Sequence, residues 1–137
     1  MNIKFKKSNG AVVLGQVTLQ DEAPENEDLV AVEIKLAEKT YDAVAESYFE
    51  ILQNLRQELE RDGIQILCNG AAKNVYPSPM TLAMGEGRRA YKMTWGKQAL
   101  MKDLVDIFDY DESLICCSVE EQNQYYRDWI RSLRKGK

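Results

Sequence analysis

Residues 29–68 read LVAVEIKLAEKTYDAVAESYFEILQNLRQELERDGIQILC, and the change of hydrophobic period inside this stretch sets the fold class. From Leu29 to Leu36 the pattern alternates. Val30, Val32, Ile34 and Leu36 face one way and Ala31, Glu33 and Lys35 the other, which is the pattern of a half-buried strand. From Tyr41 to Arg61 the spacing becomes three and four, with Val44, Tyr48, Ile51, Leu52, Leu55 and Leu59 on one helical stripe. Thr40 is placed to act as the N-cap, Asp42 lies in the first turn, and Asp62-Gly63 supplies a left-handed stop. Burying that stripe contributes on the order of 10 kcal/mol before entropy is subtracted, so this helix is expected to organise the core. Ile64, Ile66 and Cys68 then alternate in a short strand. If the strands flanking the helix pair in parallel, the crossover is right-handed.

Working outward toward the N-terminus, IKFKKS and AVVLGQVTL flank Asn9-Gly10, a dipeptide suited to a two-residue type I′ hairpin. That turn sets Phe5 opposite Leu14 and Lys7 opposite Val12. Leu14 and Val17 are then out of phase, so a β-bulge is expected at Gly15, with Lys4 and Lys6 pointing outward. Residues 20–28 form a loop around Pro24 that carries Asp21, Glu22, Glu25, Glu27 and Asp28.

Toward the C-terminus, residues 69–89 are irregular and Ala90 to Trp95 alternates like a strand. Residues 98–108 (QALMKDLVDIF) fit a helix through about Val105, with VDIF as an edge strand the alternative. Ser118-Val-Glu-Glu121 is a capping box. The helix it opens carries Val119, Tyr126, Trp129, Ile130 and Leu133 inward and places Arg131, Arg134 and Lys135 in its last turns, where cations complement the helix dipole. These elements predict a single α+β domain over residues 1–137. It has a mostly antiparallel sheet of four or five strands, the 41–61 helix on one face, and a C-terminal helix.

Composition narrows function more than any motif does. The chain has no histidine, which removes His-based triads and most zinc or iron sites. Its net charge of −4 argues against nucleic acid as the main partner and for a basic one. No run approaches the roughly 18 apolar residues of a membrane span. The opening MNIKFKK lacks the apolar core of a secretory signal. The three cysteines, Cys68, Cys116 and Cys117, are odd in number and lack disulfide-framework spacing, which fits a reducing cytoplasm. No catalytic residue, metal or cofactor is implied.

Gly85-Glu-Gly87-Arg-Arg-Ala90 matches a dinucleotide fingerprint in letters, but a strand-like run follows it where a helix is needed, so it reads as a flexible turn. Arg88 and Arg89, with Tyr76, Ser78 and Tyr91 near them in sequence, are a candidate anion site. The competing and favoured reading pairs one arginine with a carboxylate and leaves the other solvated. Asp106, Asp109, Asp111 and Glu112 crowd together, yet a calcium loop would put Leu114 where glycine is required. That run reads as a solvated face or as a docking surface for a basic partner. Charge is segregated along the chain, with 21–28 and 103–121 acidic and 88–102 and 127–137 basic, a pattern suited to electrostatic steering.

GIQILCNGAAKNVYPSPM (63–80), GEGRRAYKMTWGK (85–97) and DLVDIFDYD (103–111) together resemble small, acidic bacterial immunity proteins that neutralise polymorphic or contact-dependent toxins. The likeness spans roughly residues 63–112 and includes no catalytic signature. It implies a stoichiometric inhibitor that covers the active site of a cognate toxin domain, often a basic nuclease. On charge alone, the toxin-facing residues are Asp21, Glu22, Glu25, Glu27, Asp28, Asp106, Asp109, Asp111 and Glu112. The alternative is a small-molecule or nucleotide-binding protein, or a small enzyme, using Tyr76, Ser78, Arg88, Arg89 and Tyr91 around a pocket in the 69–97 segment.

Overall fold

The computed structural model describes residues 1–135. The main sheet contains β1 (Asn2–Lys7), β2 (Val12–Gln20), β3 (Val30–Lys35), β4 (Thr40–Ala45) and β5 (Ile64–Leu67), in the order β4-β3-β2-β1-β5. Every pairing in it is antiparallel. Helix α1 (Tyr48–Arg61) connects the two edge strands across one face of the curled sheet. A second antiparallel sheet joins β6 (Val75–Tyr76), β7 (Arg89–Lys92) and β8 (Leu104–Asp106). The short helix α2 (Pro79–Ala83) lies between β6 and β7, and α3 (Val119–Lys135) closes the chain. The fold is α+β, as the hydrophobic periods predict.

The organising helix starts later than its stripe suggests. Residues 40–45 are strand β4, with Tyr41 and Ala45 buried and Val44 exposed. Val44 lies four residues before Tyr48 and so mimics a helical position, but TYDAVA also has a period of two, and pairing with β3 satisfies an otherwise open edge. Ser47, not Thr40, is the N-cap, its Oγ accepting from Glu50 N at 3.2 Å. The other end stops as expected: Gly63 has φ +73° and its N–H donates to Glu60 O. Ile51, Leu52, Leu55 and Leu59 are fully buried against Phe5, Val17, Ile34 and Ile66 of the sheet.

The hairpin register is shifted by one residue from expectation. Lys7 N donates to Ala11 O and Gly10 N to Lys7 O, so the loop has three residues, and among them only Gly10 has positive φ. Asn-Gly serves this loop as well as a two-residue one, because a three-residue loop also needs a left-handed residue at its end. Phe5 therefore faces Val13, and Ile3 faces Gly15. The apolar phase never slips, and β2 pairs through Gly15 without a bulge. Gly15 is instead the hollow that receives Phe5: a Cβ there would lie 2.5 Å from Phe5 Cε1 and 2.6 Å from Leu36 Cδ2.

Residues 98–108 contain no α-helix. A single 3-10 turn (Met101–Asp103) leads into β8, the edge-strand alternative. Leu100 is exposed while Ile107 and Phe108 are buried, so the apparent stripe is never gathered onto one face. The capping box of α3 forms as read: Ser118 Oγ accepts from Glu121 N at 3.1 Å, and Glu121 Oε1 accepts from Ser118 N at 3.2 Å. Val119 and Trp129 are buried as predicted, and Ile130 is half-buried. The side chain of Lys135 lies outside the described residues.

Gln122, on the buried side of α3, has no exposed surface, and Arg56 of α1 is almost as enclosed. Arg56 Nη1 donates to Gln122 Oε1 at 2.5 Å and Gly70 O at 3.3 Å, and Nη2 donates to Cys117 O at 2.7 Å. Gln122 Nε2 donates to Gly70 O, Ala72 O and Val75 O at 2.8–2.9 Å. Burial pulls the Arg56 pKa down, but arginine retains its charge in proteins. Carbonyl dipoles therefore solvate this cation in place of water. Removing one partner from a buried charge costs roughly 3–5 kcal/mol, whereas replacing the whole group with apolar residues can be neutral. Gln122→Leu should lower unfolding free energy by about that amount in urea titration, and the double variant Arg56→Met/Gln122→Leu should recover part of the loss.

Candidate functional site

The small sheet is held between the end of the main sheet and α3, and β7 separates two hollows. The first is a cleft of about 710 Å³ lined by Asn69, Arg89, Lys92, Asp106, Asp109 and Asp111 with Leu104, Val105 and Tyr110. The second is an aromatic groove of about 420 Å³ lined by Tyr76, Pro77, Tyr91, Met93, Tyr126, Trp129 and Leu133, with Ser78 at its edge.

Antiparallel pairing of β7 with β8 sets Arg89 opposite Asp106 and Tyr91 opposite Leu104, which brings the basic and acidic runs of the sequence together. Arg88 Nε reaches both oxygens of Asp106, at 3.1 and 3.3 Å, and Phe108 N donates to the same carboxylate at 2.9 Å. Lys92 Nζ donates to Asp111 Oδ2 at 2.8 Å, and Ser113 N to Oδ1 at 2.9 Å. These bonds, that from Lys92 foremost, hold the Asp111 carboxyl down to about 2. Arg89, Asp109 and Glu112 make no ion pair among the described residues.

Asn69, buried at 5% exposure, is one of the residues lining this cleft. Its backbone N–H donates to Asp109 O at 2.7 Å and its Nδ2 to Asp106 O at 3.0 Å. Those bonds fix the amide, and its Oδ1 receives none.

The candidate anion residues do not converge. Tyr76, Ser78 and Tyr91 belong to the aromatic groove, Arg89 to the cleft, and Arg88 is committed to Asp106. Tyr76 donates to Asn123 Oδ1 at 2.8 Å and stacks on Tyr126 with ring centroids 4.0 Å apart. Ser78 Oγ caps α2, accepting from Thr81 N at 3.1 Å. The Gly85–Gly87 turn packs on the start of α1, where a Cβ on Gly87 would lie 2.9 Å from Ser47 Cβ. The glycine there is required by packing as well as by its φ of +73°.

The acidic β2–β3 loop is exposed at Asp21, Glu22, Glu25, Glu27 and Asp28. It is also ordered: Ala23 N donates to Leu29 O at 2.8 Å, and Asn26 Oδ1 accepts from Asp28 N at 2.9 Å. Asp21 accepts from Tyr48 OH at 2.5 Å. Burial, then this carboxylate, pushes the Tyr48 hydroxyl pKa well up. Tyr48 meets Phe108 edge-on at 6.1 Å, and the Arg88 guanidinium lies 5.7 Å from the Phe108 ring centre. A chain of contacts thus runs from the acidic loop to the wall of the cleft.

Sequence reasoning missed the exposed apolar side chains of residues 80–101: Met80, Leu82, Met84, Trp95, Leu100 and Met101. Ser78-Pro79 is a readable helix start, an N-cap followed by proline at the first helical position. It would have exposed Met80 and Met84 as positions on a short surface helix.

The thiols of Cys68 and Cys117 are buried and that of Cys116 is half-buried. Burial pushes Cys68 up to about 12 and Cys117 to about 11, far from the thiolate that reactivity needs. No arrangement of groups among the described residues indicates enzymatic activity. No three His, Cys, Asp or Glu side chains gather there in a way that could hold a metal, and no helix among the described residues is long and apolar enough to cross a membrane. No family model matches the chain, and no curated protein matches it.

The Asp111 environment makes a direct prediction. Its lowered pKa contributes stability that is complete above the unfolded value of 3.8 and is lost as pH falls toward about 2. Carboxyl NMR titration should place the Asp111 midpoint near 2. Lys92→Met should move that midpoint upward toward 3.8.

Proposed function

We propose that the protein is a stoichiometric binding protein of the immunity type, which acts in the cytoplasm by docking on a cognate, basic toxin domain and covering it. The observation that carries this reading is the concentration in sequence of six exposed large apolar side chains within residues 80–101, on short elements braced by the small sheet and α3. Trp129 Nε1 donates to Thr94 O at 2.9 Å and Ser132 Oγ accepts from Gly96 N at 2.9 Å, so the segment bearing Trp95 is held against α3. Methionine and tryptophan on a braced surface are the composition of an interface centre, and methionine adapts to the shape it meets. Concentrated apolar exposure of this kind marks contact surfaces.

The charged groups suit the rim. Asp109 and Glu112 beside the cleft and the five carboxylates of the β2–β3 loop are exposed, and they would steer a cationic partner toward this side. Asp106 and Asp111, already paired with Arg88 and Lys92, would contribute less. The resemblance of residues 63–112 to immunity proteins points the same way.

Co-expression with the product of the preceding reading frame tests the reading; that product should arrest growth when expressed alone. Growth should be restored and a one-to-one complex should co-purify; continued killing, or rescue without a complex, would sink it. In that complex Trp95→Ala should weaken binding by about 2 kcal/mol or more, as interface hot spots do. Charge reversal at Asp109 and Glu112 should instead slow association and flatten its salt dependence.

A further inference from the structure

We propose that the outer edge of β4 accepts an extended, cationic peptide segment of a partner protein as a sixth strand of the main sheet, with Asp42 meeting its lysine or arginine. The β3–β4 register shows which backbone groups are available. Leu36 N donates to Lys39 O at 3.0 Å, and hydrogen-bonded and non-hydrogen-bonded pairs alternate along an antiparallel ladder. The bonded pairs are therefore Ile34–Tyr41, Val32–Ala43 and Val30–Ala45. Thr40, Asp42 and Val44 lie in the intervening pairs, so their N–H and C=O groups point away from β3, to the side where no strand pairs with β4. Among the described residues no other backbone group bonds to them, and all three side chains are exposed. At the opposite edge, on β5, Ile66 O accepts from Gln65 Nε2 at 2.9 Å. Just beyond it, Asn69 N and Gly70 N donate to Asp109 O and Ile107 O at 2.7 and 2.8 Å. An open row of N–H and C=O groups is a template for strand addition, and in the main sheet it is β4 that presents one.

Charge selects the occupant. Asp42 lies directly opposite Glu33 in a non-hydrogen-bonded pair, the closer of the two kinds, and like charges so placed repel. Glu33 has Lys35 at 3.5 Å and Lys39 is held by Asp62 at 3.0 Å, whereas Asp42 has no ion pair among the described residues. A sixth strand sets its own side chains beside Asp42 on the same face, and a cation there relieves the repulsion. A second copy of this chain brings the wrong charge. Take any two-fold antiparallel register that pairs two or more of Thr40, Asp42 and Val44 with the same residues of the copy. In each, the two Asp42 carboxylates lie opposite or diagonal to one another. Val44, 53% exposed, adds an apolar contact for the incoming strand. None of these residues carries the docking reading, so the two stand or fall separately.

The test is selection of short random peptides displayed on phage against immobilised full-length protein. Enriched sequences should alternate β-branched residues and carry lysine or arginine. The leading sequence, added as a synthetic peptide to isotope-labelled protein, should shift the amide signals of Thr40, Asp42 and Val44 and slow their hydrogen exchange. A strand turns every second N–H toward a given neighbour, so N-methylation of the peptide at one set of alternate residues should weaken binding at least about tenfold and at the other set little. Asp42→Lys should lose affinity for this peptide and select acidic ones instead. Val44→Pro removes an outward N–H and no ladder bond and should abolish binding; should it fail to fold, Asp42→Lys still decides. The proposal is overturned if no sequence is enriched or if the shifted amides lie elsewhere. It is equally overturned if both N-methylated sets bind alike, or if Asp42→Lys keeps the preference for cations. Concentration-dependent protection of the same three amides in the protein alone would seat a second copy on the edge and overturn it too.

Discussion

A buried guanidinium without a carboxylate partner fixes how the two layers of this protein meet. Arg56 projects from α1 into the space between the turn at Asn69–Ala71 and the start of α3, where it is held by Gly70 O, Cys117 O and Gln122 Oε1. Hydrophobic packing would tolerate small slides of one layer on another, but a cation cradled by carbonyl dipoles would not, because each lost contact leaves charge unsolvated in a medium of low dielectric. The two N–H groups of the Gln122 amide are shared among three further carbonyls of the same turn and of β6. The small sheet and both hollows beside β7 inherit their position from this hub.

Close approach of the backbone reinforces it. A Cβ on Gly70 would lie 2.4 Å from Leu52 Cδ2 and 3.0 Å from Ile107 Cβ, so the turn can settle onto α1 only because that residue has no side chain. Asn69, the residue before it, is then held in the lining of the cleft with its backbone and amide nitrogens both bound to the 106–109 loop. The unsatisfied Oδ1 follows from the same constraint: the turn cannot rotate to find it a partner without breaking the contacts of Gly70.

Periodicity made the main sheet, α1 and α3 legible in the sequence, and the Ser118–Glu121 box located the start of α3 to the residue. Legibility failed where two patterns coincided. Asn9-Gly10 satisfies two loop lengths, and choosing the shorter one displaced the register and invented a bulge at Gly15. Val44 satisfies both a period of two and an i, i+4 step to Tyr48, which hid β4 inside the helix. The determinants of the site were less visible still. Arg56, Asn69 and Gln122 are polar residues that no periodic rule sends inward, and their burial depends on partners 14 to 66 residues away. The pairing of an arginine with a nearby carboxylate was readable at Arg88; the choice of Asp106 depended on the β7–β8 register.

Three-dimensional pairing also changes what the charge pattern means. The basic run 88–102 and the acidic run 103–121 look like opposed patches in sequence, yet β7 and β8 bring them together, and Arg88–Asp106 and Lys92–Asp111 cancel part of each. The carboxylates of the β2–β3 loop remain outside any ion pair among the described residues, as do Asp109 and Glu112. These two regions are joined by the contacts Asp21–Tyr48–Phe108–Arg88, so the loop field and the cleft are held in fixed relation by buried aromatic rings. A field held rigidly in this way favours orientation of an approaching partner, because exposed charges act over about 8 Å at physiological salt. Final contact must then come from surface that gains by leaving water. The exposed methionines and Trp95, on the stretch that wraps the same small sheet, are the part of the molecule with most to gain.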